Sequence, residues 1–162
     1  MSLRMGARAL CGWALLALAA CSADKPKPTP LETFEPRMTG SQVWTTRVGG
    51  IGFPMIPAVH DGVFYVASGD GDVLALQADT GDVLWRSSAG DRIVAGVGSD
   101  GRFTSVVTRG NEVVTFDSGR EVWRKRVPSA VVTPPLVAGE RVFVVGVDRA
   151  VHAFDALDGR RR

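Results

Sequence analysis

The chain has 162 residues, 45% hydrophobic and 22% charged, with 19 Lys and Arg against 17 Asp and Glu and a formal net charge of +2. Its basic excess sits in Arg4 and Arg8 near the N-terminus, and the remainder is balanced, without the surplus of positive charge that nucleic-acid binding requires. Both cysteines, Cys11 and Cys21, fall within the first 21 residues, so the chain beyond has no thiol for a disulfide, a metal site or a nucleophile.

Residues 1–20 are expected to form an export signal. Arg4 and Arg8 supply the positive start, and the apolar stretch 9–20 makes about 18 Å of helix, too short for a hydrocarbon core of about 30 Å. The run Leu18-Ala19-Ala20-Cys21 closes it and resembles the bacterial lipobox. That resemblance implies cleavage between Ala20 and Cys21 and acylation of the Cys21 thiol, with Ser22 directing the product to the outer membrane. Several acyl chains on one residue anchor stably where one would be marginal. Residues 21–40 then carry Pro26, Pro28, Pro30 and Pro36 among polar residues, the composition of an extended, semi-rigid tether. About 19 such residues reach at most about 60 Å.

Residues 41–162 read as a repeat. An apolar run beginning at Val73 and ending at Leu76 is followed by Ala78-Asp79-Thr80-Gly81 and by a second run ending in Trp85. This is hairpin chemistry, since Gly81 takes a positive φ cheaply and Asp79 bonds to the backbone two residues on. Copies follow at Val113-Val114-Thr115-Phe116-Asp117 with Gly119 and Trp123, and at Val151-His152-Ala153-Phe154-Asp155 with Gly159. Trp44 ends a lone earlier copy, so the tryptophans of the repeat fall at 44, 85 and 123.

The strands ahead of each hairpin repeat as well. Pro57-Ala58-Val59 and Val63-Phe64-Tyr65-Val66 superpose on Pro135-Leu136-Val137 and Arg141-Val142-Phe143-Val144, while the middle copy is looser, with Phe103-Thr104-Ser105-Val106-Val107 as its second strand. Four short strands in about 40 residues is the period of a β-propeller blade. The expected fold is all-β, a propeller of four-stranded antiparallel blades at 55–87, 93–126 and 132–162, with a large aromatic wedged between neighbouring blades. Residues 43–48 are expected to be the outermost strand of a last blade. Seven or eight such blades need roughly 300 residues, so two complete blades and part of a third suggest the N-terminal portion of a longer protein. Alone, this portion is expected to expose strand edges and to aggregate.

Several stretches invite a chemical reading. Ser68-Gly69-Asp70-Gly71-Asp72 places two carboxylates in a Gly-rich loop but lacks the further acidic positions of a calcium loop, and a tight turn explains it. His60 and His152 are the only histidines, and neither stands in a metal spacing or beside a nucleophile. Gly49-Gly50-Ile51-Gly52 and Gly96-Val97-Gly98 are not followed by helices, so they do not read as phosphate loops. The basic clusters Arg124-Lys125-Arg126 and Arg160-Arg161-Arg162 read as solvated rims. No catalytic, metal or cofactor residue emerges.

Residues 75–85 read Ala-Leu-x-Ala-x-Thr-Gly-x-x-x-Trp, which resembles the repeat of pyrroloquinoline-quinone-like propellers. With the lipobox, the resemblance narrows to the BamB family, lipoproteins of the outer-membrane β-barrel assembly machinery. It implies a propeller of eight blades and a non-catalytic scaffold without cofactor, lipid-anchored and facing the periplasm. The implied partners are the periplasmic POTRA region of BamA, other subunits of the machinery and unfolded outer-membrane proteins. The implied anchor is Cys21, and the repeat anchors are Trp44, Trp85, Trp123, Gly81, Gly119 and Gly159. A quinone-dependent periplasmic dehydrogenase and a ligand-binding propeller lipoprotein are the alternatives. The dehydrogenases of this fold clamp their quinone with a vicinal disulfide, for which no cysteine follows residue 21.

Overall fold

A computed structural model of the chain describes residues 27–31 and 40–161. The export signal, Ala20, Cys21 and most of the tether lie outside the described residues. The chain divides into two units, 1–40 and 41–162. In the first, residues 27–31 and Gly40 are irregular and exposed.

Among the described residues the second unit holds eleven strands. Strands β1 (Ala58–His60), β2 (Val63–Ala67), β3 (Asp72–Gln77) and β4 (Val83–Ser88) form one antiparallel sheet in chain order. Strands β5 (Ile93–Ser99), β6 (Phe103–Thr108), β7 (Glu112–Asp117) and β8 (Arg120–Arg126) form a second. Strands β9 (Leu136–Ala138), β10 (Arg141–Val145) and β11 (Val151–Asp155) form a third, three-stranded sheet. These are the blades of a propeller, cut from its meander order. Residues 41–57 carry no ladder. The stretch 43–48, expected as a strand, has no second chain to pair with among the described residues, and extended backbone becomes a strand only through such pairing.

Alternation explains why the sheets must stack. On β3, Val73 and Ala75 join a cluster shared with Ile93, Val106, Val114 and Phe116 of the second sheet. Leu74 and Leu76 face the other way, toward Val48 and Met55. On β7, Val114 and Phe116 look toward the first sheet, while Val113 looks toward Val137 and Val142 of the third and Val131 in the segment ahead of it. Both faces of the middle blade are therefore buried, and each such Val or Phe contributes about 1.5–3 kcal/mol relative to exposure.

The three blades also share a set of backbone bonds. Gly69, Arg109 and Val147, in the turn between second and third strands, donate their N–H to Gly50, Arg92 and Ala130 in the segment leading into the same blade. At the opposite end, Ala78, Ser118 and Ala156 donate to Gly62, Arg102 and Glu140. Strand β5 is the irregular member, with two register shifts in its pairing to β6. There Gly98 leaves no space for a Cβ against the Pro135 carbonyl, so the glycine admits the third sheet's backbone.

Candidate interaction surface

Trp44, in the segment ahead of the first sheet, and Trp85 and Trp123, on the last strands of the first and second sheets, each sit on the hairpin glycine of the sheet that follows. A Cβ built on Gly81 would lie 2.5 Å from Trp44 Cε3, one on Gly119 would lie 3.0 Å from Trp85 Cδ2, and one on Gly159 would lie 2.7 Å from Trp123 Cδ2. All three glycines have positive φ, at 76°, 87° and 67°. Each position is thus closed to a side chain twice over, by conformation and by the indole above it. Trp44 Nε1 donates to the Ala78 carbonyl at 2.8 Å, and Trp123 Nε1 to Ala156 at 2.8 Å. Two further contacts escaped the sequence reading. Thr46 Oγ1 donates to the Gly81 carbonyl at 2.6 Å and Ser87 Oγ to that of Gly119. Their signal is a hydroxyl two residues after the tryptophan, present at 46 and 87 but replaced by Lys125 in the third instance.

The aromatic facing Trp44 and Trp123 moves between strands, whereas Trp85 meets Tyr65 of its own sheet at 6.1 Å. Trp44 meets Phe64 of β2 at 6.1 Å, and Trp123 meets Phe154 of β11 at 5.7 Å. Phe64 pairs across with Leu76, and Phe154 with Val142, so one large ring fills the same space from either strand.

The charged candidates are held by local partners. Asp70 accepts from Gly50 N at 3.2 Å, whereas Asp72 pairs with Arg86 at 2.9 Å, so the two carboxylates of the 68–72 loop serve different partners. His60 contacts Asp61 at 3.1 Å at the exposed end of β1. His152 Nδ1 lies 3.1 Å from an Arg161 guanidinium nitrogen, and the two histidines are not brought together. In the triplet 124–126, Arg124 turns inward to bond Glu112, Glu121 and the Ala89 carbonyl, while Lys125 and Arg126 remain exposed. Arg102 bonds Asp117 and holds its carboxyl below the usual carboxylate range. Burial pushes up the phenol of Tyr65, which donates to the Gly101 carbonyl at 2.9 Å.

The innermost strands of the three sheets line a cleft of about 270 Å³, with Ile56, Ala58, Val97, Pro135 and Leu136 on its walls. Exposed apolar side chains recur on the third sheet, at Leu136, Val145 and Val151, and in its turn at Val147. No helix among the described residues is long and apolar enough to cross a membrane. What the unit offers is a set of rigidly tied turns at both ends of its sheets, together with open strand edges.

The family model for outer membrane protein assembly factor BamB matches residues 31–95 and 69–162. The outer membrane protein assembly factor BamB of Burkholderia pseudomallei is 37% identical over 98% of this chain and 43% of its own length. The crystal structure of BamB from Moraxella catarrhalis superposes with a TM-score of 0.59 at 24% identity, over 65% of this chain and 33% of that one. A quinohemoprotein alcohol dehydrogenase from Comamonas testosteroni shares the fold at a TM-score of 0.51 and 21% identity, over 70% of this chain and 20% of that one. The chain spans about two fifths of the length of the curated relatives it matches.

Proposed function

The chain belongs to the BamB family of outer membrane protein assembly factors, and from that premise we propose that it acts as a non-catalytic scaffold of the outer-membrane β-barrel assembly complex. The observation that carries this reading is the identity with the Burkholderia pseudomallei factor over nearly the whole chain. Acylated at Cys21 after cleavage behind Ala20, it is anchored to the outer membrane and faces the periplasm. Its partners are the POTRA region of BamA, the other subunits, and unfolded outer-membrane proteins on their way into the bilayer.

The physical basis is rigidity combined with open edges. Trp85 and Trp123 lock neighbouring blades through Gly119 and Gly159, and Trp44 ties the leading segment to Gly81, so the turns at either end keep a fixed spacing on which a partner can dock without ordering cost. Free strand edges accept an extended segment by strand addition. Affinity purification of the lipidated chain from detergent-solubilised outer membranes tests the proposal. Recovery of BamA is the expected result, and an eluate without it counts against scaffolding. Dye-linked alcohol oxidation by the purified chain given the quinone and calcium would favour the dehydrogenase instead.

A further inference from the structure

Arg92 and Arg109 stand directly opposite one another. The cross-strand pair Ile93 and Thr108 closes the β5–β6 ladder, and one step beyond it Arg109 N donates to the Arg92 carbonyl at 2.7 Å. Both side chains are exposed, and both line one cleft of about 230 Å³, with Gly52 and Gly69 on its other wall. A side chain on Gly69 would come within 3.1 Å of Gly52 N, so that wall consists of bare backbone. Like charges facing each other across a ladder repel. Neither guanidinium forms an ion pair among the described residues, although Arg86, Arg102, Arg124 and Arg160 all do.

The nearby carboxylates are already engaged. Asp91 accepts from Arg92 N at 2.7 Å and from Gly110 N at 3.2 Å, and Asp70 accepts from Gly50 N at 3.2 Å. The charge of Asp91 offsets part of the repulsion, and an external anion held between the guanidiniums would relieve the rest. Two planar guanidiniums offer more parallel donors than one carboxylate can use, and they suit the several oxygens of a phosphate group.

We propose that the cleft formed by Arg92, Arg109, Gly52 and Gly69 binds a phosphate-type oxyanion. The glycine stretch 49–52 lacks the following helix of a phosphate loop and contributes only a wall here. The charge comes from the two arginines. The anion is either free phosphate or the phosphodiester of a lipid headgroup, and the same chemistry recognises both.

The test is thermal unfolding of the full chain and of its R92Q, R109Q and R120Q variants in inorganic phosphate, in glycerophosphoglycerol and in chloride of matched ionic strength. Phosphate is expected to raise the Tm of the parent and of R120Q beyond the chloride value. R92Q and R109Q each should weaken binding roughly ten- to hundredfold, the loss of one charge-assisted donor group. In chloride these two variants should be at least as stable as the parent, because one of two facing charges is gone. Equal response to glycerophosphoglycerol identifies a lipid headgroup as the source, and response to inorganic phosphate alone identifies the free ion. A phosphate effect no larger than that of chloride, one unchanged in R92Q and R109Q, or a loss of stability of either variant in chloride would overturn the proposal.

Discussion

The indole of Trp44 lies on the bare α-carbon of Gly81, so close that a Cβ there would fall 2.5 Å from Cε3 and 2.6 Å from Cδ2. The same two residue types meet at Trp85 with Gly119 and at Trp123 with Gly159. Trp85 and Trp123 on one blade therefore read the hairpin of the next, and Trp44 makes the same contact from the segment ahead of the first blade.

Substituting Gly81→Ala should consequently cost more than left-handed strain alone. Gly139 supplies the comparison, with φ of 57° and nothing within 4 Å of its Cβ position. Gly139→Ala is expected to lose about 1–2 kcal/mol, the ordinary cost of a Cβ in that region. Gly81→Ala adds displacement of the indole, for a total of roughly 2–5 kcal/mol. Urea midpoints measure both, and equal losses would show that the indole does not bear on Gly81.

The polar edge of the indole makes a separate prediction. Trp123 is 7% exposed and its Nε1 donates to the Ala156 carbonyl. Trp123→Phe keeps a ring against Phe154 but strands that carbonyl, and is expected to cost about 1–3 kcal/mol. Trp123→Ala also opens a cavity, for about 3–5 kcal/mol. A Phe variant as stable as the parent would mean that the hydrogen bond contributes nothing net.

Much of this was legible from spacing. The recurrence of Trp and of the hairpin glycine pointed to an all-β fold of antiparallel four-stranded sheets, because local turn chemistry and alternation act within a few residues. The contacts that tie one blade to another were less accessible. That Trp44 meets Gly81, rather than a residue of its own hairpin, depends on how sheets stack, as does the opposition of Arg92 and Arg109. The register of β5 was hidden for another reason, since Gly96 and Gly98 answer to Val106 in β6 and to Pro135 just ahead of β9 rather than to a local pattern. Residues 43–48 have strand composition, yet composition cannot supply the missing partner.

Acid should weaken the fold partly through Asp117. Its carboxyl is held below the ordinary value, first by the hydrogen bond from Arg102 and further by Ser118. A depressed carboxyl stabilises the fold while pH stays above its unfolded value, near 3.9. That contribution is lost as pH falls through the lower, folded value. Asp117→Asn is thus expected to be less stable than the parent at neutral pH, with the difference closing in strong acid. Unfolding midpoints followed from about pH 7 to about pH 2 test this. A difference that persists undiminished in acid would place the effect in packing rather than ionisation.

Arg86 and Arg124 each follow a repeat tryptophan and each reach back to an acidic residue at the start of the preceding strand, Asp72 and Glu112 respectively. Their surroundings differ. The Arg86 pair is 51% and 36% exposed, whereas Arg124 and Glu112 are each 29% exposed, and Arg124 also donates to the buried Ala89 carbonyl at 2.8 Å. Water competes for the first pair, so Arg86→Met should change stability by no more than about 1 kcal/mol. Arg124→Met leaves two carboxylates, Glu112 and Glu121, and the Ala89 carbonyl without their donor and is expected to cost roughly 1–3 kcal/mol. Arg124→Lys should recover only part of that, because an ammonium cannot reproduce the planar fork that reaches Glu112, Glu121 and Ala89 together. Full recovery by lysine, or equal losses at 86 and 124, would show that charge alone matters and that the bond across to Ala89 is incidental.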